Sequence, residues 1–137
     1  MRRAARAGLA ELDAFLGKSA ESLASAGDDF VAGRYNSCAR SAYYAAFQAA
    51  VAALMNENIG PTGNWEHDFV QAQFQGRLVY RRKLYPARYR RALRVAFDAR
   101  ADADYTPRQT TRREAQNLLQ IARDIVISVE ERLRDGS

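Results

Sequence analysis

The sequence predicts an all-α protein, an up-and-down bundle of four to five helices. Three observations lead there. No segment alternates apolar and polar residues with a period of two, the pattern of a half-buried strand. Apolar residues instead recur every three to four positions through most of the chain. The stretch Ser37–Asn56 has no Gly or Pro and carries Ala at 39, 42, 45, 46, 49, 50, 52 and 53. Ala loses no side-chain entropy in a helix, so this stretch has high helix propensity. Tyr43, Phe47, Val51 and Leu54 form one bulky stripe along it, and Tyr44 begins a second. A helix that is small or apolar nearly all round is surrounded by other helices. Ser37–Asn56 is therefore the expected centre of the bundle. Its polar exceptions, Asn36, Ser37, Arg40, Ser41 and Gln48, need partners or water if buried.

The other elements follow in chain order. Residues 4–32 read as a first helix, with Leu9, Leu12, Phe15, Leu16, Leu23, Phe30 and Val31 on its apolar side. Gly27 is a candidate bend, and Gly33 a candidate stop in the left-handed conformation. The turn residues of Asn58–Gly63 end the central helix. Asn64 is the expected cap of a third helix over Trp65–Tyr80, with Phe69, Val70, Phe74 and Leu78 inward. Pro86 suits the first turn of a fourth helix that ends near Ala103, with Tyr89, Leu93, Val95, Ala96 and Ala99 at helical intervals. Asp104–Thr110 is expected as a loop. Thr111 and Glu114 have capping-box spacing, opening a last helix to Arg134.

A chain of 137 residues is expected to form one domain with its own core. With one Cys and one His it holds neither an internal disulfide nor a four-ligand Cys/His zinc site. No apolar run approaches the roughly 20 residues that span a bilayer. The lone cysteine makes a reducing cytoplasm the expected compartment, and Glu11 and Asp13 interrupt what would be the apolar core of a signal peptide, so the start reads as a charged helix. A net charge of +5 suits an acidic partner such as nucleic acid, and equally a protein kept soluble by its charge.

Several stretches together carry a resemblance: Gly33-Arg-Tyr-Asn-Ser-Cys-Ala-Arg-Ser-Ala-Tyr-Tyr-Ala-Ala-Phe47, then His67 after a Gly-rich loop, a Leu84-Tyr85-Pro86 turn, Arg100-Ala-Asp-Ala-Asp-Tyr105, and a closing helix with Ala115 and Ala122. Their order and spacing resemble the HEPN superfamily, most closely its small stand-alone branch with a YYAxF helix and an R-x-x-A-D-Y helix end. The resemblance covers nearly the whole chain. It implies a homodimeric helical bundle with a role in RNA-targeting defence or toxin–antitoxin pairs, often beside a nucleotidyltransferase partner. It also implies a metal-independent ribonuclease for many members, with no cofactor. In those nucleases an Arg precedes a His by four to six residues. The His serves the 2′-hydroxyl or leaving oxygen, and the Arg steadies phosphate charge.

Here the motif is absent as written, because Ile59–Glu66 contains no Arg. The nearest upstream is Arg40, on another helix, so His67 and Arg40 are the candidate catalytic pair. Arg34, Arg77 or a dimer mate are the other spatial sources of the cation. His67 has two further readings: an anion ligand at a helix N-terminus, or a residue at position N3 satisfied by a hydrogen bond. Tyr43 and Tyr44 read as core residues with bonded hydroxyls. Tyr35 and Asn36 read as holding the turn between the first two helices. Arg100, Asp104 and Tyr105 extend a structural polar cluster at the end of the fourth helix, where Arg100 and Asp104 are spaced to pair. Asp102 and Asp104 point to different helix faces and do not form a metal pair. Cys38 has no His near it in sequence, so it offers no nucleophile.

The strongest internal sign of nucleic acid is the acid-free run Arg77, Arg81, Arg82, Lys83, Arg88, Arg90, Arg91 and Arg94, interleaved with Tyr80, Tyr85 and Tyr89. Basic side chains contact phosphates and tyrosines stack on unpaired bases. The same run also suits the acidic side of the first helix or an acidic partner protein. The expected function is an RNA-associated protein of toxin–antitoxin or defence type, with a degenerate endoribonuclease motif. The alternative is a non-catalytic dimeric module that binds a nucleotidyltransferase-type protein or a nucleotide.

Overall fold

Helix α2 (Tyr35–Asn56) is the axis on which the other elements pack, and its Ala-lined faces explain why. Cys38, Ala39, Ala42, Ala45, Ala46, Ala49, Ala50, Ala52 and Ala53 are all buried. Small side chains let neighbouring backbones approach, while Tyr43, Val51 and Leu54 fill the space between them. The computed structural model describes residues 2–135. Around α2 lie α1 (Arg2–Val31), the short α3 (His67–Gln73), α4 (Ala92–Tyr105) and α5 (Arg112–Arg134), and no strand occurs among the described residues.

The joints are fixed by backbone bonds that the sequence signals. After α1, Gly33 adopts φ +77°, and the N–H groups of Gly33 and Arg34 donate to the carbonyls of Phe30 (3.1 Å) and Asp29 (2.8 Å). This is the Schellman arrangement. Arg34 adds an ion pair to Asp29 at 2.9 Å. The end of α2 repeats the device with Asn58 at φ +59°, Asn58 bonding Met55 and Ile59 bonding Leu54, both at 3.0 Å. Ile59 is buried where that turn closes. Thr111 and Glu114 form the expected capping box of α5. Between α1 and α2, buried Ser19 donates to the Ala45 carbonyl at 2.9 Å, and Ser22 lies 2.8 Å from the Gln48 amide.

Several expectations need correction. Gly27, the candidate bend, lies within an uninterrupted α1. Leu9 and Val31 stay exposed, 59% and 88%, rather than joining the core, and Val95 on α4 is exposed too. The third helix begins at His67 and not at Trp65; its N-cap is Glu66, and Asn64 lies in the preceding loop. Trp65 instead packs edge-on to Phe15 and Phe69. From Phe74 to Arg81 the chain widens into a π-helix, where Gly76 sits. The fourth helix starts at Ala92 and not near Pro86, which precedes a single tight turn over Ala87–Tyr89. It also runs on to Tyr105, so Asp104 and Tyr105 are helical. Asn36 does not hold the α1–α2 turn: its side chain accepts from the Thr110 N–H (2.9 Å) and donates to Gln109 (2.7 Å), tying α2 to the loop before α5. Tyr35 does serve its joint, with its ring 5.9 Å from that of Phe30.

Candidate functional site

Two regions carry the chemistry. The first is an aromatic and ionic cluster where α2, α3 and α4 meet. The YYAxF pattern puts Tyr43 and Phe47 one turn apart on α2, facing α3 and α4. The Tyr43 hydroxyl lies 2.7 Å from Nδ1 of His67, the first residue of α3. The His67 ring stands edge-on to Phe97 of α4, with centroids 4.1 Å apart. No water fits between Tyr43, Phe47, His67, Leu93 and Phe97.

Burial lowers the His67 pKa from its ordinary 6.5; the Asp68 carboxylate opposes this and Arg100 reinforces it. Burial pushes the Tyr43 hydroxyl well up. Both groups are therefore neutral at pH 7. The arrangement that gives the buried Tyr43 proton an acceptor has Tyr43 donating to Nδ1, leaving the imidazole proton on Nε2.

Arg100 lies over three rings, with its guanidinium carbon 5.7 Å from Tyr43, 5.4 Å from Tyr44 and 5.9 Å from Tyr105. Its side chain also reaches Asp104 at 3.2 Å, the expected i,i+4 pair. Asp104 accepts a second cation, Arg40 of α2, at 2.7 Å. The five residues expected as a polar cluster, Tyr43, Tyr44, Arg100, Asp104 and Tyr105, are thus in one place, although Tyr44 and Tyr105 are exposed and not core. The cations expected near His67 have other partners among the described residues. Arg40 is engaged by Asp104 and Arg34 by Asp29, whereas the cation whose field acts on His67 is Arg100. His67 occupies position N1 and not N3. The Tyr43–His67 pair had no local signal, since 24 residues separate the two.

The second region is the basic stretch. Arg77, Arg81, Arg82, Lys83, Arg88, Arg90, Arg91 and Arg94 are all exposed. Only Arg82 (to Glu57, 3.1 Å) and Arg94 (to Asp98, 3.3 Å) form ion pairs among the described residues. The acidic side of α1 does not neutralise the run: Asp29 pairs with Arg34, and Asp28 and Glu21 form no ion pair among the described residues. The three interleaved tyrosines are not equivalent. Tyr85 and Tyr89 are buried at 5% and 4%, whereas Tyr80 is 64% exposed. Tyr89 meets Ser128 at 2.9 Å, and Arg88 lies over its ring.

Among the described residues no group of His, Cys, Asp and Glu is arranged to hold a metal ion. Cys38 is buried with its thiol pushed up to about 11, so it is no nucleophile at neutral pH. No helix of the described residues is long and apolar enough to cross a membrane.

The family model described as HEPN domain matches residues 12–132, from within α1 to the last turn of α5. The chain belongs to the HEPN domain family. No curated protein matches it at a significant level. The chain carries the YYAxF and R-x-x-A-D-Y stretches, and no Arg stands four to six residues before His67. The two elements meet at the Tyr43–Arg100–Asp104–Arg40 cluster just described.

Proposed function

We propose that this HEPN protein is an RNA-associated protein of toxin–antitoxin or defence type that holds RNA on its basic Arg77–Arg94 face. The observation that carries the reading is the set of exposed, unneutralised cations at Arg77, Arg81, Lys83 and Arg91 on one continuous segment. Uncompensated cations release counterions from a phosphate backbone when they bind it.

The histidine site supports a degenerate nuclease. To act as a base, His67 needs a free nitrogen lone pair, and its Nδ1 is occupied by the Tyr43 hydroxyl. To stabilise phosphate charge, Arg40 would have to leave Asp104. The protein works as a homodimer in the cytoplasm on this reading, and a nucleotidyltransferase-type protein is its candidate partner.

The test is a metal-free RNA cleavage assay run beside a binding assay on the same single-stranded RNA, with His67→Ala in parallel. The expected outcome is binding without turnover by either protein. Cleavage by the wild type that disappears in His67→Ala would replace this reading with an active ribonuclease. A monomeric mass in solution at micromolar concentration would remove the dimer.

A further inference from the structure

We infer that the cleft at the end of the π-helical segment takes one unpaired nucleotide, with its base stacked on Tyr80 and its phosphate beside Lys83 and Arg90. The inference rests on the RNA reading above and names the residues that would make it selective for unpaired strands.

The cleft lies between the end of the π-helix and the Ala87–Tyr89 turn. It has a volume of about 700 Å³ and is lined by Tyr80, Lys83, Leu84, Pro86, Ala87 and Arg90 among others. That volume is in the range of ligand clefts, and none of its lining residues is acidic. Tyr80 is the one tyrosine of the basic stretch that is open to solvent, so it alone can present a ring face to a base. Arg90 lies over the Tyr80 ring with its guanidinium carbon 5.1 Å from the centroid, which steadies the ring and places a cation on one of its faces, so a base would take the other. A paired base has both faces covered by its neighbours, so a single stacking ring favours unpaired strands over duplex.

The backbone supplies an independent sign. A π-helical segment is rare and recurs at functional sites. Here it closes with the Arg82 N–H donating to Arg77 (2.9 Å) and the Leu84 N–H to Leu78 (2.8 Å). Between them Lys83 is held at φ +55°, the left-handed region that disfavours a residue with a Cβ. That strained residue is one of those lining the cleft.

The experiment titrates the full chain with a short single-stranded RNA carrying one fluorescent adenine analogue, and separately with 5′-AMP. Wild type should quench the analogue on binding. Tyr80→Ala should abolish the quenching and weaken RNA binding about 10-fold, in line with the loss of one stacked base. Tyr80→Trp should restore both. Lys83→Gly removes the charge and relieves the positive φ, so it keeps the turn and should weaken both ligands. Arg91→Gln, outside the cleft lining, should weaken RNA binding and leave the quenching amplitude intact. RNA binding that Tyr80→Ala leaves unchanged would overturn the cleft while the RNA reading stands. No RNA binding, with 5′-AMP bound in a Tyr80-dependent way, would remove the RNA reading and keep the nucleotide cleft. Binding of neither ligand would overturn both.

Discussion

Tyr43 and His67 fix each other in one protonation state, and that has a consequence for stability. Folding lowers the His67 pKa below its ordinary 6.5, chiefly through burial against Phe47 and Phe97, with Asp68 and Glu66 opposing and Arg100 assisting. The unfolded chain therefore binds a proton at a higher pH than the folded one. Stability from the neutral imidazole is complete above pH 6.5 and falls as the pH drops through that value, levelling once the folded group also titrates. Two other shifted groups lie outside this window: Glu114 is held below 4.5 by its bond from the Thr111 N–H and by Arg108, and Cys38 titrates far above. The expected outcome is a urea midpoint that drops between pH 7 and pH 5 in wild type and much less in His67→Gln. Equal slopes in the two proteins would remove His67 as the source. The RNA-cleavage consequence runs the same way, since the proton that would make His67 an acid is the one the site resists.

At the scale of elements, the ends decide more than the middles. The last helix has a capping box in which Thr111 accepts from the Glu114 N–H at 3.1 Å and Glu114 accepts from the Thr111 N–H at 3.0 Å. Thr111→Ala is expected to cost about 1 kcal/mol in denaturant unfolding, and Thr111→Ser only a few tenths. A loss in Thr111→Ala no larger than in Thr111→Ser would mean that other bonds hold the start of α5. This box was legible in the sequence because its two partners are three residues apart. So were Gly33 as the stop of α1 and the five helical stretches, all set by local spacing. The π-helix at Phe74–Arg81 was not legible, because its apolar residues, Phe74 and Leu78, satisfy an ordinary helical period equally well. The late start of α4 was hidden for a similar reason. Pro86 fits a first turn by its φ of −58°, but its ψ of 148° leaves the chain extended. At the candidate site, the Arg100–Asp104 pair could be read from its spacing. The contacts of Tyr43 with His67, of Arg40 with Asp104, and of Asn36 with Thr110 join separate helices, and no local pattern encodes them.

At the scale of the molecule, charge is sorted along the chain. The segment Arg77–Arg94 has no acid, whereas α1 carries Glu11, Asp13, Glu21, Asp28 and Asp29. A net charge of +5 therefore understates the local positive charge of this segment, where only Arg82 and Arg94 have acidic partners among the described residues. A polyanion would meet the cations that lack internal partners first: Arg77, Arg81, Lys83 and Arg91. Arg82 and Arg94 contribute less, because each would have to loosen an ion pair to Glu57 or Asp98. Four phosphates neutralised on a single strand give a log–log salt slope of about −3. Affinity for single-stranded RNA should accordingly fall about 50-fold between 50 and 200 mM monovalent salt. Arg81→Gln should make the slope shallower by about 0.7, one phosphate contact, whereas Arg82→Gln should change it less, since Arg82 is already paired with Glu57 and neutralises little phosphate charge. A slope near zero, with binding still saturable, would mean that recognition is carried by non-ionic contacts and that the basic face serves an acidic protein partner or solubility.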